Sequence, residues 1–294
     1  MATQREIRKR IKSVASTRKI TKTMEMVSTS KMKKMQNRML MTRPYSEKID
    51  HIIANLRDSG VEDVVDPLLQ ERAEASRILV LMITGNRGLC GGFNTNVIDN
   101  TLAMKNRLTI EEGKEVLLSV IGKKGINYLR FINEPVYKTA LNLEDKLTFD
   151  DAAALGNELI SLFLNGEVDE VYISSTRAVS SSAQKPMITR LLPITPERRE
   201  VEQSTSDFHV QYIFEPSPYK IFSSLLPLYI KVKIYTSLLE SGYSEQFARR
   251  VAMKNATDAA TEMARELTVH YNRVRQAKIT NEIAEIVGGA AALE

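Results

Sequence analysis

Apolar residues near the N-terminus recur as Ile7, Ile11 and Val14, then Ile20, Met24 and Val27, then Met32, Met35 and Met39. Each set keeps the three- and four-residue steps that put side chains on one face of an α-helix. Val14 and Ile20 are six positions apart, so the stripe is expected to shift phase there instead of holding one heptad register. From Thr3 to Arg57 there is no glycine, and the single proline, Pro44, is expected to kink the helix or split it near Thr42 and Arg43. About forty helical residues already span roughly 60 Å, more than a domain of this size can bury, so the helix must project or pair with another long helix.

The far end of the chain supplies a partner. Ser217-Pro218 has the form of a helix start, with Ser as N-cap and Pro at the first helical position. After Pro227 there is no further proline, and Gly242 is the only glycine before Gly288-Gly289. Ala256, Ala260, Met263, Leu267, His270, Val274, Ala277, Asn281 and Ala284 keep a four-three alternation, the spacing of a heptad seam. Its alanines allow close approach of two backbones, and His270 and Asn281 are polar positions that would fix register. Residues 1–57 and 217–287 are therefore expected to form a long antiparallel coiled coil.

Between them the period changes. Residues 77–84 (RILVLMIT), 116–121 (VLLSVI) and 171–174 (VYIS) are short apolar runs of strand type, and helical stretches are expected at about 95–107, 124–131 and 149–165. Strands alternating with helices at this spacing predict a parallel sheet packed by helices. Residues 187–194 and 209–214 add two strand-like segments. The fold class expected is α/β: a Rossmann-like domain over residues 75–215, inserted between the two strands of a coiled coil.

Charge sharpens this organisation. The chain of 294 residues has a net charge of +5, but residues 1–57 hold fifteen Lys and Arg against four Asp and Glu, while the remainder holds twenty-six against thirty-two. A basic rod on a mildly acidic body suits three partners: nucleic acid, acidic lipid headgroups or an acidic protein collar. The rod has no aromatic residue before Tyr45 for base stacking, and its apolar stripe needs burial in a helix, which favours a protein-facing role. No run of about 18 apolar residues suggests a membrane span. The N-terminus has neither a secretory h-region nor room for a transit peptide before the helix begins.

Candidate chemistry is sparse. Cys90 is the sole cysteine, which excludes an intrachain disulfide, and the three histidines, His51, His209 and His270, are far apart. The turn Gly85-Asn86-Arg87-Gly88-Leu89-Cys90-Gly91-Gly92-Phe93-Asn94 follows a strand and precedes a helix, the position of a phosphate-binding loop. It lacks both the G-x-G-x-x-G spacing and a P-loop lysine, and its glycines equally serve a tight turn. Paired carboxylates such as Asp150-Asp151 and Glu111-Glu112 sit at expected helix starts or loops, where negative charge suits the helix dipole. No catalytic, cofactor-binding or metal-binding residues are expected.

The two ends resemble a known family. The N-terminal residues are Ile7-Arg8 through Ile11, Thr17-Arg18-Lys19-Ile20-Thr21-Lys22-Thr23-Met24-Glu25-Met26-Val27 and Ser30-Lys31-Met32. The C-terminal ones are Tyr271-Asn272-Arg273-Val274-Arg275-Gln276-Ala277-Lys278-Ile279-Thr280-Asn281-Glu282-Ile283 and Glu285-Ile286-Val287-Gly288-Gly289-Ala290. With the Arg87 to Asn94 turn, they resemble the gamma subunit of F-type ATP synthases, most closely the bacterial form. Asn86 stands where that family often has Asp, and there is no cysteine-bearing insertion like that of the chloroplast forms.

The resemblance implies a central rotor shaft with one copy per complex and no cofactor of its own. Its partners would be the alpha and beta subunits around the paired helices, epsilon beside the α/β domain, and the membrane-embedded c-ring below. It implies no nucleic-acid role. The location implied is the cytoplasmic side of the bacterial inner membrane, peripheral and held indirectly through the membrane sector. It also implies that Met24 lies near the beta subunits' acidic loop and that Arg275, Gln276 and Thr280 meet the beta catch loop. Tyr212, Phe214 and Glu215 would form the foot on the c-ring. ATP chemistry would take place in beta, with magnesium.

Overall fold

A computed structural model describes residues 3–58, 66–72, 75–140, 147–179, 183–195 and 218–291. The chain divides into two units: Lys31–Ala248, and Met1–Ser30 together with Arg249–Glu294. Helix α1 (Gln4–Asp58) and helix α5 (Pro218–Ala291) each contribute to both.

The larger unit is built on a five-stranded sheet. Its strands are β1 (Arg77–Ile83), β2 (Glu115–Ile121), β3 (Lys138–Ala140), β4 (Glu170–Ala178) and β5 (Gln184–Leu192), in the order β3-β2-β1-β4-β5. The first four are parallel and β5 is antiparallel to β4. Central strand β1 buries every residue after Arg77, as expected of a strand covered on both faces. Ile78, Val80 and Met82 pack with α2 (Phe93–Ile110) and α3 (Lys123–Phe131), through Val97, Ile98, Ile126 and Leu129. Leu79, Leu81 and Ile83 face the opposite core, where α4 (Phe149–Leu164) supplies Leu159 and Phe163. In the same core α5 supplies Leu226, Ile230 and Leu239, and α1 supplies Met32, Met35, Ile49 and Ile53.

Polar groups finish the elements that apolar burial starts. Thr148 caps α4 in a capping box, accepting from Asp151 N while its own N–H donates to Asp151 Oδ2 at 2.9 Å. Asp169 clamps the entry of β1 to that of β4: its Oδ2 accepts from the backbone N–H groups of Ser76 and Arg77 at 3.0 and 2.9 Å, and Oδ1 accepts from Arg72 at 2.8 Å. The Arg72 guanidinium also lies over the Phe163 ring, 4.8 Å from its centroid. Gly122 is required where β2 turns into α3. Its φ is +96°, and a Cβ there would fall 2.1 Å from the Thr84 carbonyl oxygen.

One of the two outcomes expected at Pro44 is absent, and one strand lies outside the expected set. Helix α1 runs unbroken through Pro44, so the proline does not split it. Pro44 and Leu40 are both exposed, which leaves the carbonyl freed by the missing N–H on the water side of the helix. Strand β3 was not anticipated, because its three residues lie at the sheet edge and show no buried alternation. The strand-like segment 209–214 lies outside the described residues.

Candidate functional site

In the smaller unit the two helices pair antiparallel: Gln4 Nε2 donates to Tyr271 Oη at 3.2 Å, and Thr257 Oγ1 donates to Thr21 Oγ1 at 2.8 Å. On α1 the buried or half-buried Ile7, Ile11, Val14, Thr21, Glu25 and Ser28, with exposed Arg18 completing the series, form the seam, and half-buried Gln4, Met24 and Thr29 lie beside it. The seam positions keep one unbroken four-three alternation, so the expected phase shift is absent. The apolar residues that suggested it face outward: Ile20 is 60% exposed and Val27 50%, whereas Thr21 and Ser28 are buried.

The seam of α5 likewise differs from the one expected. It runs through Met253, Thr257, Ala260, Ala264, Leu267, Tyr271 and Val274, while Met263 and His270 are exposed. Ala260, Leu267 and Val274 belong to either alternation. Hydrophobicity favoured Met263 over Ala264, but small Ala264 sits on the partner side, where close approach is needed. Thr21 and Thr257 hold their place in the seam because each hydroxyl also bonds a carbonyl of its own helix, Arg18 and Met253 respectively.

The consequence is an outward apolar flank. Ile20, half-buried Met24 and Val27 lie one residue before the α1 seam positions, and Ala256 and Met263 lie one residue before seam positions of α5. In an antiparallel pair these flanks share a side. Arg8, Lys9, Arg10, Lys12, Arg18 and Lys19 are all exposed on α1. Beyond Val274 every residue of α5 through Gly288 is exposed, including Ile279, Ile283, Ile286 and Val287. Arg275, Gln276 and Thr280 lie on this uncovered stretch, and Thr280 Oγ1 donates to the Gln276 carbonyl at 3.0 Å. Met24 is thus on the flank, and the other three are on the tip of α5. Tyr212, Phe214 and Glu215 lie outside the described residues.

The Gly85 to Asn94 turn is folded on itself. Gly85 N–H donates to Asn94 Oδ1 at 2.8 Å, and Asn86 Oδ1 accepts from Lys123 N–H at 2.9 Å at the start of α3. At the carboxyl ends of β1 and β4, where an open sheet of this type binds nucleotides, α5 packs against the sheet and its Ser244 Oγ donates to the Thr176 carbonyl at 3.5 Å. Cys90 is buried in the turn, with Asn94 Nδ2 at 3.2 Å from its sulfur. Among the described residues no cluster of His, Cys, Asp and Glu could hold a metal, and no helix is long and apolar enough to cross a membrane.

In the chain, a sheet domain lies between two long terminal helices. Solved structures share the fold. A chain from the Euglena gracilis mitochondrial ATP synthase (OSCP/F1/c-ring, rotational state 3) superposes with a TM-score of 0.68 at 20% identity, over 99% of this chain and 94% of that one. A chain from the Tetrahymena thermophila mitochondrial ATP synthase central stalk and c-ring gives 0.60 at 24% identity, over 81% and 99%. The family model described as ATP synthase matches residues 3–293. ATP synthase gamma chains of Dehalococcoides mccartyi and Leptospira biflexa are 42% and 44% identical, each over 100% of both chains. The chain belongs to the ATP synthase gamma chain family.

Proposed function

We propose that this chain is the central rotor shaft of an F-type ATP synthase. Ion flow turns the c-ring, the chain turns with it, and its rotation drives each beta subunit through binding, synthesis and release. The observation that carries this reading is full-length family membership combined with a helical pair that leaves an apolar flank and an apolar tip uncovered. Such surfaces are normally closed by other chains.

The mechanism follows from asymmetry. A shaft shifts its neighbours' conformations only if it contacts them differently at different angles. The flank of Ile20, Met24, Val27 and Met263 supplies that difference, since it favours whichever beta conformation offers an apolar surface. The exposed Arg and Lys residues of α1 attract an acidic collar from any angle and hold it at none. In this reading Met24 meets the beta subunits' acidic loop, Arg275, Gln276 and Thr280 meet the catch loop, and Tyr212, Phe214 and Glu215 rest on the c-ring.

The chain is non-catalytic in this account. ATP chemistry belongs to beta, a division that membership of the gamma chain family supports. One copy is present per complex, with epsilon beside the sheet domain. The complex lies at the cytoplasmic side of a bacterial inner membrane, which the chain contacts only through its partners. Native purification from gently solubilised membranes tests the reading: the chain should run with alpha and beta in one large assembly. A chain that runs alone while alpha and beta run together ends it.

A further inference from the structure

The crevice at the carboxyl ends of β1 and β4 is where the strand order of the sheet reverses. Basic residues border it: Arg87 in the turn after β1, Lys124 at the start of α3 with its side chain against Gly88, and Arg177 near the end of β4. One stretch of α5 brings two carboxylates to this edge. Glu240 Oε2 lies 3.8 Å from Arg177 Nε, and its side chain is largely shielded from water. The Glu245 carboxylate rests on buried Gly85 so closely that a Cβ there would fall 2.9 Å from both Glu245 Cδ and Oε1. Ser244 lies between them, donating to the Thr176 carbonyl.

We propose that Glu245 is a positioning residue whose carboxylate, seated on Gly85 and seconded by the Glu240–Arg177 pair, keys α5 to the sheet. With the key in place, α5 cannot turn about its own axis without carrying β1 and β4 along. The buried α5 residues Leu226, Ile230, Ile234 and Leu239 interdigitate with the sheet core along the helix, and the Glu245 seat adds a fixed point of contact at the carboxyl edge of the sheet. Glycine at position 85 is the keyway, because any side chain there would expel the carboxylate. The functional consequence, transmission of torque between α5 and the sheet domain, rests on the rotor reading.

A double-mutant cycle tests the key in the complete complex, reconstituted in vesicles, with ATP hydrolysis and ion pumping measured together. The group that a Cβ at position 85 meets is the end of a flexible side chain, so Gly85→Ala displaces the carboxylate and leaves the backbone in place. Gly85→Ala and Glu245→Ala should each lower ions pumped per ATP hydrolysed by roughly twofold, and the double variant should lower it no further. Multiplied effects in the double variant, or single variants that pump normally, overturn the key. Hydrogen exchange on the isolated chain separates this failure from failure of the rotor reading. Amides of α5 around Glu245 should exchange about tenfold faster in Glu245→Ala, and unchanged exchange overturns the key whatever the complex does.

Discussion

Strand β1 buries six consecutive apolar residues, Ile78 through Ile83, between two helical layers. In the helical pair of the other unit the arrangement is inverted: Ile20, Val27, Met263 and Ile286 face water, while Thr21, Ser28 and Thr257 are buried. The core of the sheet domain is closely packed on both faces, although Ile110 and Phe131 at its rim are 81% and 82% exposed. The pair retains only enough apolar contact to hold two helices together, and it presents the rest outward. The difference separates a core selected for burial from a surface selected for partners. Substitutions should therefore cost stability in the first region and assembly or coupling in the second.

The largest expected effect is in the sheet. Leu81→Ala, at a fully buried position, should destabilise the chain by about 2–5 kcal/mol, read as a shift in denaturation midpoint. A comparable loss from Ile20→Ser would erase the contrast between the regions.

Next comes the Asp169 clamp. Burial by itself would raise this carboxyl, but hydrogen bonds from Arg72 and from the Arg77 and Ser76 N–H groups, together with the Arg72 charge, hold it below its ordinary 3.8. A carboxyl depressed in the folded state adds stability above its unfolded value and loses that contribution as pH falls through its folded value. Asp169→Asn should thus cost about 1–3 kcal/mol near pH 7, with the gap to the parent chain closing as the medium is acidified past the ordinary carboxyl range and through the depressed folded value. Equal gaps at neutral and acid pH would remove the charge from the explanation.

The seam should respond more weakly. Thr21→Val alone should cost no more than about 1 kcal/mol, because the Thr257 hydroxyl loses one acceptor and keeps the Met253 carbonyl, and Thr21→Val with Thr257→Val should cost less than the two single changes summed. Additive losses in that pair would show that the hydroxyls act separately.

The smallest effects on stability belong to the outer face. Ile20→Ser, Met24→Lys and Arg275→Ala should each change the stability of the isolated chain by no more than about 0.5 kcal/mol. In the assembled complex Met24→Lys should impair coupling by adding an ion pair with the collar at some angles, and Arg275→Ala should lower ATPase turnover. Unchanged pumping per ATP, or unchanged turnover, would remove the corresponding contact.

The parts of the fold legible in the sequence are those where one signal dominates. The RILVLMI run of β1 has no other plausible reading than a buried strand, and the long helices announce themselves by the scarcity of glycine and proline. The seams were mis-phased for a physical reason. Apolar periodicity locates residues that avoid water somewhere, in this chain or against another, and Ile20, Val27 and Met263 carry that signal on the outside. Thr21 and Thr257 give no apolar signal, although their mutual hydrogen bond lets them be buried. Ala264 and Tyr271 were passed over for Met263 and His270 because both choices preserve the four-three alternation. Pro44 does not split α1, because a proline on the water side of a helix leaves its orphaned carbonyl to solvent. Of the candidate site residues, Met24, Arg275, Gln276 and Thr280 came from the family resemblance. Periodicity alone could not single them out, because a partner surface has no partner in one sequence. The seating of Glu245 on Gly85 joins segments far apart in the chain, and no local pattern signals it.

The most direct test of the central claim is rotation itself. A bead fixed to the sheet domain through a cysteine at exposed Ile110 would report the motion of this chain in a surface-held complex with alpha and beta. The account predicts stepwise rotation in one direction on addition of ATP, stopping when ATP is withdrawn. ATP hydrolysis by a complex that contains the chain, with the bead stationary or turning equally in both directions, would contradict it.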